Sequence, residues 1–114
     1  MRTKVFRLTT GAAIAATLVA LPALAQQVEP RVQRGRVFAQ TNCAQCHAIG
    51  RTGESPLKVA PPFRTLHERY PIEHLAEAFS EGIVTGHPSM PQFQLDVAQI
   101  NDLLAYLKSL EAKQ

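Results

Sequence analysis

The most regular apolar pattern in this 114-residue chain lies near its C-terminal end. Ile100, Leu103, Leu104, Leu107 and Leu110 recur at spacings of three and four, which places them on one face of a helix. Asp96-Val97-Ala98-Gln99 precedes them with the spacing of a capping box, in which the two polar side chains satisfy each other's backbone N–H groups. A weaker stripe, Val32, Gly35 and Phe38, predicts a first helix from Gln27 to about Thr41, with Arg31, Arg34 and Arg36 mostly off that face. Glycine inside a helix costs stability relative to alanine, so Gly35 predicts a close helix contact, and Phe38 is expected in the core. Pro71 to Phe79 reads as another helix, with Pro71 early and Gly82 as its stop. Its apolar face is Ile72, Leu75, Ala76 and Phe79, while Glu73, Glu77 and Glu81 lie outside. A short helix is expected over Phe63–Arg69. No strand-like alternation precedes the cysteines, and the fold class is all-α.

The segments between these elements are punctuated by glycine and proline. Gly50 to Lys58 is a polar loop, followed by Val59-Ala60-Pro61-Pro62-Phe63, where two prolines remove two N–H donors and leave a stiff segment with free carbonyls. Ile83 to Gln94 is a second such loop, containing Gly86-His87-Pro88-Ser89-Met90-Pro91-Gln92-Phe93. The first 25 residues have a different character. Arg2, Lys4 and Arg7 precede an apolar run from Gly11 to Leu21, and Ala23-Leu24-Ala25 is a small-x-small cleavage pattern. That is a secretory signal, and its apolar run falls short of the ~20 residues that a membrane-spanning helix needs. Cleavage after Ala25 leaves 26–114, one small domain of the size that commonly leans on a metal or covalent staple.

Processing also changes the charge. The chain carries 12 Lys+Arg against 9 Asp+Glu, a formal +3, and three of the basic residues belong to the signal. The mature domain is therefore neutral, and nucleic-acid binding is not indicated. Basic residues concentrate in 26–69 and acidic ones in 70–114, an asymmetry that belongs to solvated surface and can also orient a partner at long range.

The chemistry centres on Cys43-Ala44-Gln45-Cys46-His47, which holds both cysteines of the chain. Two thiols separated by two residues, with an imidazole next, form the attachment pattern of covalent c-type haem. The spacing lets both sulfurs reach the two vinyl groups along one porphyrin edge and carries His47 under the ring toward the iron. Rival readings fit less well. A structural zinc site needs four ligands, and the histidines at 47, 67, 74 and 87 do not supply the paired spacing. A thioredoxin-like pair needs a βαβ context, and a plain disulfide gives His47 no role. A ligating histidine needs an acceptor for its second ring N–H, which the free carbonyls at Pro61-Pro62 can provide. For the opposite side of the iron, Met90 is the single methionine of the mature chain, held in a proline-stiffened loop. His87 is the alternative sixth ligand. Tyr106 sits beside the C-terminal apolar stripe, placed either to pack on the first helix or to reach a haem propionate.

Taken together, these residues resemble the class I c-type cytochromes of the mitochondrial and bacterial type, over essentially the whole mature chain. Gly35 and Phe38 look like the family's N-terminal helix contact, and Cys43, Cys46 and His47 match its attachment motif. Pro61 looks like the proline whose carbonyl receives the histidine N–H. Met90-Pro91-Gln92-Phe93 is similar to the distal methionine loop, and Leu103 to Leu107 to the C-terminal helix. The chain departs from the mitochondrial type in placing Phe38 one position nearer Gly35, in the length between His47 and Pro61, and in lacking a lysine-rich face. The resemblance implies an all-α cytochrome c fold of three main helices, a short helix and loops around one covalent haem c. It implies His47 and Met90 as axial ligands, with Phe93 and Tyr106 in the haem pocket. The expected function is one-electron transfer in the periplasm between redox protein partners, by a monomer or a subunit of a redox complex, with no acid, base or nucleophile required. A fixed subunit of a dehydrogenase or oxidase, and a haem-based small-ligand sensor, are the alternatives.

Overall fold

The computed structural model describes residues 29–84 and 87–111. The segment expected as a secretory signal, residues 1–25, and its expected cleavage site lie outside them. Among the described residues there are three α-helices, α1 (Pro30–Asn42), α2 (Leu75–Glu81) and α3 (Val97–Glu111), with 3-10 turns at Phe63–Glu68 and Ile72–His74, and no strand. The all-α expectation holds.

The α1 and α3 pair is the frame. Helix α1 begins with Pro30 in its first turn, where the missing N–H costs nothing. Its buried positions are Gly35 and Ala39, four apart, with Val32 and Phe38 partly buried beside them. Phe38 thus sits at the margin of the core, and Ala39, fully enclosed, occupies the centre of the contact. Gly35 meets the backbone of α3 directly: a Cβ there would lie 1.9 Å from the Asp102 carbonyl oxygen and 2.8 Å from Tyr106 Cβ. Beside this crossing the Arg34 guanidinium grips Asp102 with two bonds, Nε to Oδ2 at 2.6 Å and Nη2 to Oδ1 at 2.8 Å.

Helix α3 starts with the expected reciprocal cap. The Gln99 N–H donates to Asp96 Oδ1 at 2.8 Å, and the Asp96 N–H donates to Gln99 Oε1 at 3.1 Å. Ile100, Leu103, Tyr106, Leu107 and Leu110 are buried along its inner face. Leu104, counted in the stripe from sequence, is only partly buried, and Tyr106 takes a full core position instead.

The remaining elements close the core against α3. Phe63 and Leu66, three apart, share an edge of a 3-10 turn, whose three-residue period brings both into the core. The segment expected as one helix from Pro71 divides. Ile72–His74 forms a 3-10 turn and α2 continues from Leu75 two residues past Phe79, to Glu81. Ile72, Leu75 and Phe79 are buried, and Glu73, Glu77 and Glu81 face solvent. Glu73 pairs with Lys108 of α3, and that bond holds its carboxyl below the usual range. Gly82 ends α2 at φ 99°, a backbone state that residues with a Cβ rarely adopt.

Candidate functional site

The attachment segment is fixed first by the end of α1. The Cys43 N–H donates to the Ala39 carbonyl at 2.8 Å, completing the helix, and the Ala44 N–H reaches the same oxygen at 3.1 Å. The Cys43 carbonyl then accepts from both the Cys46 N–H (3.1 Å) and the His47 N–H (2.9 Å). One tight turn therefore carries both thiols and the imidazole within a single backbone unit. Both cysteine side chains are half-buried, and burial, reinforced by the neighbouring Cys46, pushes the Cys43 thiol, before anything is joined to it, up to about 11. Such a thiol stays protonated at pH 7, so little of it is present as the reactive thiolate.

The following loop folds back over this turn. Leu57 donates its N–H to the Cys46 carbonyl (3.1 Å), Ser55 Oγ receives the Ala48 N–H (3.0 Å), and the Phe63 N–H closes onto the Ala48 carbonyl at 2.9 Å. These bonds deliver Pro61 to the histidine, where His47 Nδ1 lies 2.8 Å from the Pro61 carbonyl oxygen. A carbonyl can only accept, so this contact places the ring proton on Nδ1 and leaves the Nε2 lone pair for a metal. Proline makes a suitable partner because its ring stiffens the backbone that aims the carbonyl. The Phe63 ring lies against the imidazole, centroids 5.1 Å apart and tilted by 46°, and limits its rotation. Phe63 was visible in the sequence only as the aromatic after two prolines, and its packing on His47 depends on the loop folding back.

Tyr106 does both more and less than expected. It packs under Gly35 on α1, and its hydroxyl donates to the Ile49 carbonyl at 2.7 Å, two residues beyond His47. That bond ties α3 to the attachment loop. Burial raises the Tyr106 hydroxyl above its ordinary value, opposed by the charges of Arg36 and Arg51.

Met90 stands on a separate segment and is half-buried, with its N–H donating to the His87 carbonyl at 3.0 Å in a turn through Pro88 and Ser89. Phe93 is partly buried against the core. His87, the rival ligand from sequence, is exposed, as are His67 and His74. Among the described residues no three His, Cys, Asp or Glu side chains gather as a metal cluster, and no helix is long and apolar enough to cross a membrane.

The donor set suits a porphyrin joined through two thioethers. It offers two thiols on one turn and an imidazole whose tautomer is fixed to present Nε2. These features define a small helical protein organised to hold one covalent haem. Comparison with known proteins agrees. Residues 32–111 match the family described as cytochrome c. A cytochrome c-553-like protein of Synechocystis is 36% identical over 78 residues, 68% of this chain and 67% of that protein. No solved structure gives a significant match. The chain belongs to the cytochrome c family. Its cofactor is accordingly covalently bound haem c with iron, and its role is that of a monohaem electron carrier working with redox partners.

Proposed function

We propose that the mature protein is a periplasmic one-electron carrier in which His47 Nε2 and Met90 Sδ are the two axial ligands and Cys43 and Cys46 form the thioethers. The observation that carries this reading is the His47–Pro61 bond. A histidine whose Nδ1 proton is already committed keeps one orientation and one tautomer, and its remaining nitrogen stays available in both iron oxidation states. Bound haem supplies the Fe(III)/Fe(II) couple. The protein's part is to hold ligands that do not exchange between those states, so that little structural change accompanies transfer. Methionine opposite histidine favours the reduced iron and raises the potential. Phe63 holds the imidazole plane from one side, and Phe93 belongs to the distal pocket on this reading. Tyr106, its hydroxyl engaged by Ile49, supports the attachment loop rather than a propionate. Export fits the signal pattern of residues 1–25, since haem is joined to this motif outside the bacterial cytoplasm.

The test is a potentiometric titration of protein purified from the periplasmic fraction, with the intact mass measured on the same sample. The reading expects cleavage after Ala25, one covalent haem per chain, and a reversible titration with one electron per molecule. An uncleaved or cytoplasmic protein would contradict the export, and a non-reversible titration would contradict the carrier role.

A further inference from the structure

The segment that carries Met90 is fastened to the end of α2. The last carbonyls of a helix have no partner within it, and here the returning chain supplies some of them. The Phe79 carbonyl accepts the Leu95 N–H at 2.8 Å, and the Ser80 carbonyl accepts Gln94 Nε2 at 3.1 Å. Past Gly82, the Ile83 N–H donates to the Phe93 carbonyl at 3.0 Å. These three bonds hold residues 79–83 alongside residues 93–95, three to five positions from Met90.

Gly82 is the corner that makes this possible. Its φ of 99° and ψ of 103° turn the chain out of α2 so that the Ile83 N–H faces Phe93. A Cβ at Gly82 would lie 2.6 Å from Gln92 Nε2, but that atom ends a flexible side chain and can swing aside. The obstacle to a side chain at this position is therefore the backbone conformation itself, and relieving it means rotating the corner and releasing the Ile83–Phe93 bond.

We infer that Gly82 and Gln94 are positioning residues for Met90, keeping its thioether at the iron by holding the base of its segment rather than by touching the haem. The inference rests on the reading of Met90 as sixth ligand. An outside ligand can reach the iron only in the fraction of molecules whose Met90 has moved away, so its apparent affinity measures that fraction. Loosening the base raises the fraction while the haem-attachment residues, Met90 and every core side chain stay in the sequence.

The experiment is titration of the ferric holoprotein with imidazole, followed optically, for the wild type and for Gly82→Ala, Gln94→Ala, Met90→Ala and Asp102→Ala. Gly82→Ala should bind imidazole about tenfold more tightly, equivalent to ~1.4 kcal/mol. Gln94→Ala, which removes one exposed bond, should give about a threefold effect, and it decides the matter should Gly82→Ala fail to retain haem. Asp102→Ala removes the partner of Arg34 at the α1–α3 crossing, which takes no part in this corner, so it lowers global stability and should leave imidazole affinity unchanged. Met90→Ala should bind more tightly than any of them. If Met90→Ala tightens binding while Gly82→Ala and Gln94→Ala match the wild type, the positioning role is overturned and the ligand assignment stands. If Asp102→Ala tightens binding as much as Gly82→Ala, the effect is general destabilisation and the positioning role is again overturned. If Met90→Ala binds imidazole no better than wild type, the ligand assignment and the positioning role both fall.

Discussion

Replacing Gly35 with alanine sets two effects of opposite sign against each other. Alanine is the better helix former, worth about 0.5–1 kcal/mol in a helix interior. Against that, the new Cβ would sit 1.9 Å from the Asp102 carbonyl oxygen, 2.6 Å from its carbon and 2.8 Å from Tyr106 Cβ. Two of those three atoms are backbone of α3 and cannot rotate away, so the helices themselves must part by more than an ångström. Parting them loosens Ala39 and strains the two Arg34–Asp102 bonds, which span the same crossing. Overpacking a core costs about 1–3 kcal/mol where side chains can adjust. With backbone in the way the upper end applies, for a net loss of about 2 kcal/mol. In a domain this small that lowers Tm by roughly 10 °C. The assay is thermal unfolding of the holoprotein followed by helix circular dichroism, with Gly50→Ala alongside. A Cβ at Gly50 meets nothing within 4 Å, so that variant should match or slightly exceed the wild type. A Gly35→Ala protein as stable as Gly50→Ala would refute the close crossing, because replacing glycine would then meet no opposing contact at either position.

Three further outcomes follow from the same structure. Asp96→Ala removes the acceptor of the Gln99 N–H and should cost about 1 kcal/mol in denaturant unfolding, with the loss reproduced by neither Asp96→Asn nor Asp96→Ser. Tyr106→Phe deletes the bond to the Ile49 carbonyl and should cost about 1 kcal/mol by the same measurement, without loss of covalent haem. The third concerns acid. Arg34, through its hydrogen bond first and its charge second, holds the Asp102 carboxyl below the usual carboxylate value of 3.8, with Arg31 adding to the effect. A carboxyl lowered by folding binds protons more readily when unfolded, so its stabilising contribution is complete above that unfolded value and drains away as the pH falls through the folded one. Asp102→Asn should therefore lose stability at neutral pH and show a shallower decline below about pH 4 than the wild type, read as unfolding midpoints across pH.

How much of this was legible beforehand depends on how local each feature is. The cap and inner face of α3 were readable because both rest on contacts three and four residues apart. The crossing at Gly35 was readable as a cost without a local benefit, yet Ala39 was not, since a methyl group contributes almost nothing to an apolar stripe. Pro71 is equally suited to opening an α-helix or a 3-10 turn, so the division at Leu75 carried no signal. Around the site, Cys43, Cys46 and His47 stand adjacent in sequence and declare themselves. The Pro61 carbonyl could be named as a kind of partner, but its approach to His47 depends on the bonds from Ser55, Leu57 and Phe63 that fold the loop back. The fastening of the Met90 segment consists largely of backbone bonds, which residue identities do not reveal; only Gly82 hinted at it, as a helix stop.

The most direct measurement of the central claim is an optical spectrum of the purified holoprotein, oxidised and then reduced, with and without carbon monoxide, for the wild type and Met90→Ala. The account predicts a c-type haem spectrum with a methionine-to-ferric-iron charge-transfer band and no carbon monoxide binding in the wild type, and both properties reversed in the variant. A wild-type protein that lacks the band and takes up carbon monoxide when reduced would contradict it, because an iron with an open or weakly held sixth position is suited to sensing a ligand rather than to carrying an electron.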